Sequence, residues 1–286
     1  MMLIVLSACG SDDKENTEGN TKKQETEDNK EISIGLDPYD YSTVPAYLSQ
    51  VILEQEDYEV EIVEADTGVL YEALSSQDID AFIDIWSPNL HAEYLEKYGD
   101  SIVTAGTLFN DMPFGVGVPS YMEDINTIED VVDNPELFDN EIYAIEPGSG
   151  MALTTVKMTE DYEMDEFDIQ NSSVAAMLQQ LDNKIEKEEG IIFNAWRPHP
   201  MFVRHDIKLL EDPRDSWKKD DVEIGVTPEF EENSPQAFTL FSNMKLDLDM
   251  VEDWIMAIDE DGKEPRELAE EWVLENEDMV NEWLEK

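Results

Sequence analysis

One cysteine, Cys9, is all the chain has in 286 residues, so no disulfide can form within it. Cations are also scarce: 18 Lys plus Arg stand against 70 Asp plus Glu, a formal net charge of −52. Such a field repels phosphates, which argues against a nucleic-acid partner and against adhesion to an anionic membrane through basic patches. Histidine is limited to His91, His199 and His205, and none falls in a metal-binding spacing such as His-Glu-x-x-His. Gly148-Ser149-Gly150-Met151 is not a Gly-x-Ser-x-Gly nucleophile elbow, and Cys9 lies ahead of any foldable segment. With carboxylates too numerous to single out a catalytic pair, a binding protein without cofactor or metal is expected rather than an enzyme. The N-terminal apolar run falls far short of the about 18 residues that cross a bilayer.

What is present begins with the carboxylates. They read first as a solvated surface, and their excess points to a salt-rich habitat, where hydration keeps the surface soluble and ions screen its self-repulsion. The apolar fraction, 41%, is enough for two ordinary cores in a chain of this length. Leu6-Ser7-Ala8-Cys9, after the apolar Met1–Leu6, resembles a bacterial lipobox, in which the thiol becomes a lipid anchor. No basic segment precedes it; a start codon further upstream would supply one. The other reading of Cys9 is a chance cysteine near the terminus. Residues 1–9 are thus expected to be a lipoprotein signal and lipobox, and residues 10–30, which lack any large apolar side chain, a disordered acidic tether.

From Glu31 the pattern alternates between strand and helix. Ile32–Leu36 reads as a strand, Ser42–Gln55 as a helix capped by Ser42 or Thr43 with Pro45 in its first turn, Tyr58–Val63 as a strand, Leu70–Ser76 as a helix and Ile79–Ile85 as a buried strand. That order predicts an α/β lobe with a largely parallel sheet. After the apolar run Phe114–Pro119 the pattern restarts: strand at Ile142–Ile145, helices at Gly150–Thr159 and Ser173–Asp182, strands at Gly190–Ala195, Ile207–Leu210 and Val222–Val226. From Pro235 onward the chain is helical, with Phe238, Phe241, Met250, Trp254, Ile255, Ile258, Leu268, Trp272, Met279 and Trp283 as core stripes.

Two strands run into the same corner, Ile85-Trp86-Ser87-Pro88 and Ala195-Trp196-Arg197-Pro198. Ligands in α/β sheets sit outside the carboxyl ends of strands, so the two tryptophans either face each other across a cleft or serve as equivalent packing corners. Together with Gly35-Leu36-Asp37-Pro38-Tyr39-Asp40, Trp86-Ser87-Pro88-Asn89-Leu90-His91, Gly117-Val118-Pro119-Ser120-Tyr121-Met122, Glu146-Pro147-Gly148-Ser149-Gly150-Met151 and Trp196-Arg197-Pro198-His199, in this order, the chain resembles the glycine betaine-binding proteins of osmoprotectant ABC importers over Glu31–Lys286.

The resemblance implies a two-lobed periplasmic-binding-protein fold. Lobe 1 is expected over 31–118 plus 212–286 and lobe 2 over 119–211. It also implies an aromatic box of Tyr39, Trp86 and Trp196 for a trimethylammonium group, with His91 and the N–H groups of Gly150 and Met151 for a carboxylate. A quaternary ammonium has no N–H to donate, so aromatic faces must recognise it. Helix N-termini offer free N–H groups to an anion, which suits Gly150 and Met151 independently; His91 by itself also reads as a surface histidine after a turn. The family pattern often has Trp where this chain has Tyr39, a weaker cation–π face whose hydroxyl needs a partner. The expected partners are a small betaine, a permease and, through the lipid alone, the outer face of the cytoplasmic membrane. Choline, carnitine and proline betaine remain alternative ligands, and a non-transport surface lipoprotein an alternative role.

Overall fold

The computed structural model describes residues 29–286; the signal segment, Cys9 and residues 10–28 of the expected tether lie outside the described residues. Residues 29 and 30, assigned to the tether by composition, belong to the fold. The Asn29 N–H donates to the Asn233 carbonyl at 2.6 Å and the Lys30 ammonium lies 3.7 Å above the Tyr58 ring.

Alternation builds the first sheet. In β1 (Glu31–Leu36) Ile32 and Ile34 are buried, and parallel pairing sets them opposite Val60 and Ile62 of β2 (Glu59–Glu64). Helix α1 (Asp40–Gln55) joins the two, and α2 (Thr67–Ser76) leads to β3 (Ala81–Ser87) on the far side of β1. β3 is buried from Ala81 to Trp86, as a central strand covered on both faces must be. After α3 (Ala92–Tyr98) comes β4 (Val103–Met112).

Beyond Pro113 the chain enters a second sheet, made of β5 (Phe114–Pro119), β6 (Glu141–Ala144), β7 (Asp168–Asn171), β8 (Ile192–Trp196) and β9 (Ile207–Leu209) in the order β7-β6-β8-β5-β9. Its helices are α4 (Ile128–Asp133), α5 (Gly150–Asp161), α6 (Val174–Glu186) and the short α7 (Met201–Arg204). The chain then returns to the first sheet as β10 (Asp220–Val226), between β3 and β4, and closes with α8 (Phe230–Asn233), α9 (Pro235–Asn243), α10 (Leu248–Asp259), α11 (Pro265–Glu275) and α12 (Glu277–Trp283). Trp254 and Trp283 are buried here, and Trp272 stacks on Trp283 at 5.6 Å, as their spacing predicts; Met279, expected in the same stripes, is exposed. No helix among the described residues is long and apolar enough to cross a membrane.

Several expectations need correction. The sheets are mixed rather than largely parallel, because each takes strands that arrive from the other lobe: β10 runs antiparallel to β3 and β4, and β5 antiparallel to β8 and β9. β5 therefore belongs wholly to the second sheet, so the first crossing lies at Pro113 and not between Val118 and Pro119. Helix α1 starts at Asp40, ahead of Ser42, with Tyr39 at its cap position and no side-chain cap, and Pro45 sits deeper than the first turn. The Ser42 hydroxyl instead donates to the Tyr39 carbonyl at 2.7 Å and the Asp37 carbonyl at 3.3 Å. β4 and β7 had no clear sequence signature: β4 carries register shifts against β10, and β7 is an edge strand with mostly exposed side chains.

Candidate ligand-binding site

The carboxyl ends of four strands meet between the lobes. β1 delivers Tyr39, β3 delivers Trp86 and then His91, β6 leads to Ile145 and Ser149-Gly150-Met151, and β8 delivers Trp196. Together with Tyr41 and Leu90 these residues line one small, tightly closed cleft. All six residues singled out from the sequence, Tyr39, Trp86, His91, Gly150, Met151 and Trp196, line it. Both Trp-x-Pro corners are cis at the proline.

The rings form a connected set. Tyr39 meets Trp196 edge-on at 6.3 Å and stacks on Tyr41 at 5.9 Å; Tyr41 meets Trp86 edge-on at 5.9 Å. The Tyr39 hydroxyl has Thr67 as its hydrogen-bond partner, and burial raises its pKa, so the phenol stays neutral. Behind the rings lies Asp84, 1% exposed, whose carboxylate accepts from the Tyr41 hydroxyl and from Trp86 Nε1, each at 2.8 Å. His199 packs edge-on to Trp196 at 4.7 Å, and its Nδ1 accepts from the Met201 N–H at 3.1 Å, which holds it in place.

The opposite end is rich in donors. Ser149 caps α5 by accepting from the Ala152 N–H and donates to the Glu146 carbonyl. The N–H groups of Gly150 and Met151, in the first turn, have no intrahelical acceptor. His91 Nδ1 accepts from the Trp86 N–H at 3.2 Å and sits 3.1 Å from the Tyr71 hydroxyl. The proton of the neutral ring therefore belongs on Nε2, free to donate. Burial lowers the His91 pKa to about 3, so the ring donates as a neutral imidazole. Trp196 Nε1 is buried without an acceptor among the described residues.

The model of the family described as the substrate binding domain of ABC-type glycine betaine transport systems matches residues 30–275. The chain belongs to this family. It is 29% identical over 147 residues to the glycine betaine/carnitine transport binding protein GbuC of Listeria monocytogenes, an alignment that covers 50% of this chain and 49% of GbuC. The chain thus matches about half the length of that curated relative. A glycine betaine/L-proline-binding protein (ProX) from Borrelia burgdorferi superposes with a TM-score of 0.84 at 27% identity, covering 89% of this chain and 96% of that one. Lactococcal OpuAC, in its closed form with glycine betaine, gives 0.83 at 24% identity over 89% and 99% of the two chains. A choline-binding protein of an ABC transporter, in complex with choline, gives 0.83 at 23% identity over 90% and 92%. At those identities the last two show the fold alone, a two-lobed α/β binding protein.

The lobes touch. A Cβ at Gly150 would lie 2.4 Å from the Leu90 carbonyl oxygen and 2.9 Å from His91 Cδ2, so only glycine permits this approach. The Tyr94 hydroxyl donates to the Gly148 carbonyl across the cleft. Arg197, beyond β8, makes a bidentate pair with Glu252 of α10, at 2.8 and 2.6 Å. Sequence reading missed Tyr41, Asp37 and Asp84. A signal existed: Asp84 is the one charge in the apolar run Ala81–Trp86 and lies two residues from Trp86, hence on the same face of the strand.

Proposed function

We propose that the chain captures glycine betaine between its lobes and delivers it to the permease of an ABC importer, as an extracytoplasmic protein held to the membrane by lipid on Cys9. The observation that carries this reading is the polarity of the cavity. One end is a set of aromatic faces, suited to a trimethylammonium group that has no proton to donate. The other offers only donors: His91 Nε2–H and the N–H groups of Gly150 and Met151, with the Ser149 hydroxyl already engaged at Glu146 and Ala152. A carboxylate accepts and does not donate, so it satisfies that end fully; the choline hydroxyl brings one acceptor and a proton that needs a home. Contacts to both lobes favour the closed state, which is what a permease would have to distinguish. Calorimetric titration with glycine betaine, proline betaine, carnitine and choline tests the ranking. Tighter binding of choline than of every betaine would transfer the site to the alternative ligand.

A further inference from the structure

The residues that line the cavity account for the ligand's methyl groups and its carboxylate, but not for a buried carboxyl pair behind the rings. Asp37 and Asp84 are 2% and 1% exposed. They lie just after β1 and midway along β3, and the parallel register that sets Ile34 opposite Ala81 and Gly35 opposite Phe82 brings them side by side when continued by two residues. Two carboxylates in such contact cannot both be ionised out of water, so the pair must hold a proton. The hydrogen bonds say where. Asp84 receives the Tyr41 hydroxyl and Trp86 Nε1–H at 2.8 Å each. Asp37 receives Thr67 at a long 3.3 Å and has Ser42 beside it, and its Oδ1 finds no donor among the described residues. A proton on Asp37 turns that orphan atom into a donor towards Asp84. Burial and the Asp84 charge push the Asp37 pKa well up, in the same sense.

The groups that act most strongly on either carboxyl include no lysine, arginine or protonated histidine. Among the described residues the negative charge so held bonds no cationic group, and the two groups it does bond, Tyr41 and Trp86, are rings of the cavity wall. A carboxylate that accepts from an indole N–H and a phenol O–H pushes electron density into both rings and makes their faces more attractive to a cation. We propose that the Asp37–Asp84 pair carries one proton, on Asp37, and that the charge on Asp84 selects for a cationic ligand by polarising Trp86 and Tyr41. This rests on the quaternary-ammonium reading above and adds a specificity-determining residue to it. Asp84 touches no ligand itself; it acts through the two rings.

The test compares glycine betaine with 3,3-dimethylbutanoate, in which carbon replaces the ammonium nitrogen at the same shape, by titration calorimetry and competition. Wild type should prefer the betaine. Asp84→Asn, which removes the charge, should weaken betaine binding by about ten- to a hundredfold and leave the carbon analogue within about twofold, so that the preference collapses. Asp37→Asn, a neutral donor like the protonated acid, should retain the preference. Asp84→Ser, a smaller neutral acceptor, is read in the same way if Asp84→Asn does not fold. Equal losses for both ligands in the Asp84 variants, an unchanged ratio, or a collapse in Asp37→Asn overturns the proposal while leaving betaine binding intact. A wild type that binds no betaine overturns the function as well.

Discussion

A methylated ammonium offers its surroundings only charge and apolar surface, so on the proposed reading the energy of its capture would rest on the rings at residues 39, 86 and 196. Trp86→Ala or Trp196→Ala should cost on the order of 2–4 kcal/mol, a roughly 30- to 1,000-fold loss of betaine affinity by calorimetry. His91→Ala should cost ~1–3 kcal/mol for betaine, the scale of a hydrogen bond to a charged group, and leave choline nearly unaffected. Trp254 and Trp283, buried in the C-terminal helices, are controls whose loss should alter melting and not ligand preference. Protonation adds a second residue-scale expectation. His91 and His199 are held neutral by burial, with pKa values lowered from 6.5 to about 3. Unfolding lets both bind protons below 6.5, so the stability they contribute is present above that pH and is lost as pH falls towards 3. Asp37, raised by burial, acts with the opposite sign. The comparison that isolates the histidine part is the melting temperature of His199→Gln against wild type. The variant should lose less on going from pH 7 to pH 5, and parallel curves would remove the inference.

At the scale of elements, the start of α5 is the most demanding position. Its free N–H groups were legible because Pro147-Gly148-Ser149-Gly150 announces a turn, a cap and a helix start. That position 150 must be glycine was not legible, because the obstacle is Leu90 and His91 of the other lobe. Gly150→Ala should therefore weaken betaine by at least about tenfold while leaving the unliganded melting temperature within a few degrees, since alanine suits a helix better than glycine. Measured affinity equal to wild type would mean that the lobes need not approach this closely. The same divide explains the elements misread. Hydrophobic alternation marks β1 and β2 because neighbours in sequence decide it. β4 escapes because Gly106 lies against the Phe241 backbone and its register shifts answer to β10, more than a hundred residues away.

For the whole molecule the net charge of −52 dominates solution behaviour. Self-repulsion is screened over about 10 Å at 0.1 M salt and about 3 Å at 1 M, so the melting temperature should rise from low to molar salt. A flat or falling curve would withdraw the salt-rich habitat. Anchoring is tested by intact mass of the protein made in a bacterium with its natural upstream sequence: lipid on Cys9 is expected, and an unmodified N-terminus would refute it. Composition, strand–helix order, the two Trp-x-Pro corners and the glycine-rich start of α5 are local properties, so the sequence alone determined the fold class and picked out six residues that line one cleft. The sheet order, the Pro113 crossing, the neutral tautomer of His91 and the carboxyl pair behind Trp86 depend on contacts between residues distant in the chain. Burial and partner geometry decide each of these, and both exist only once the two lobes have folded around one cleft.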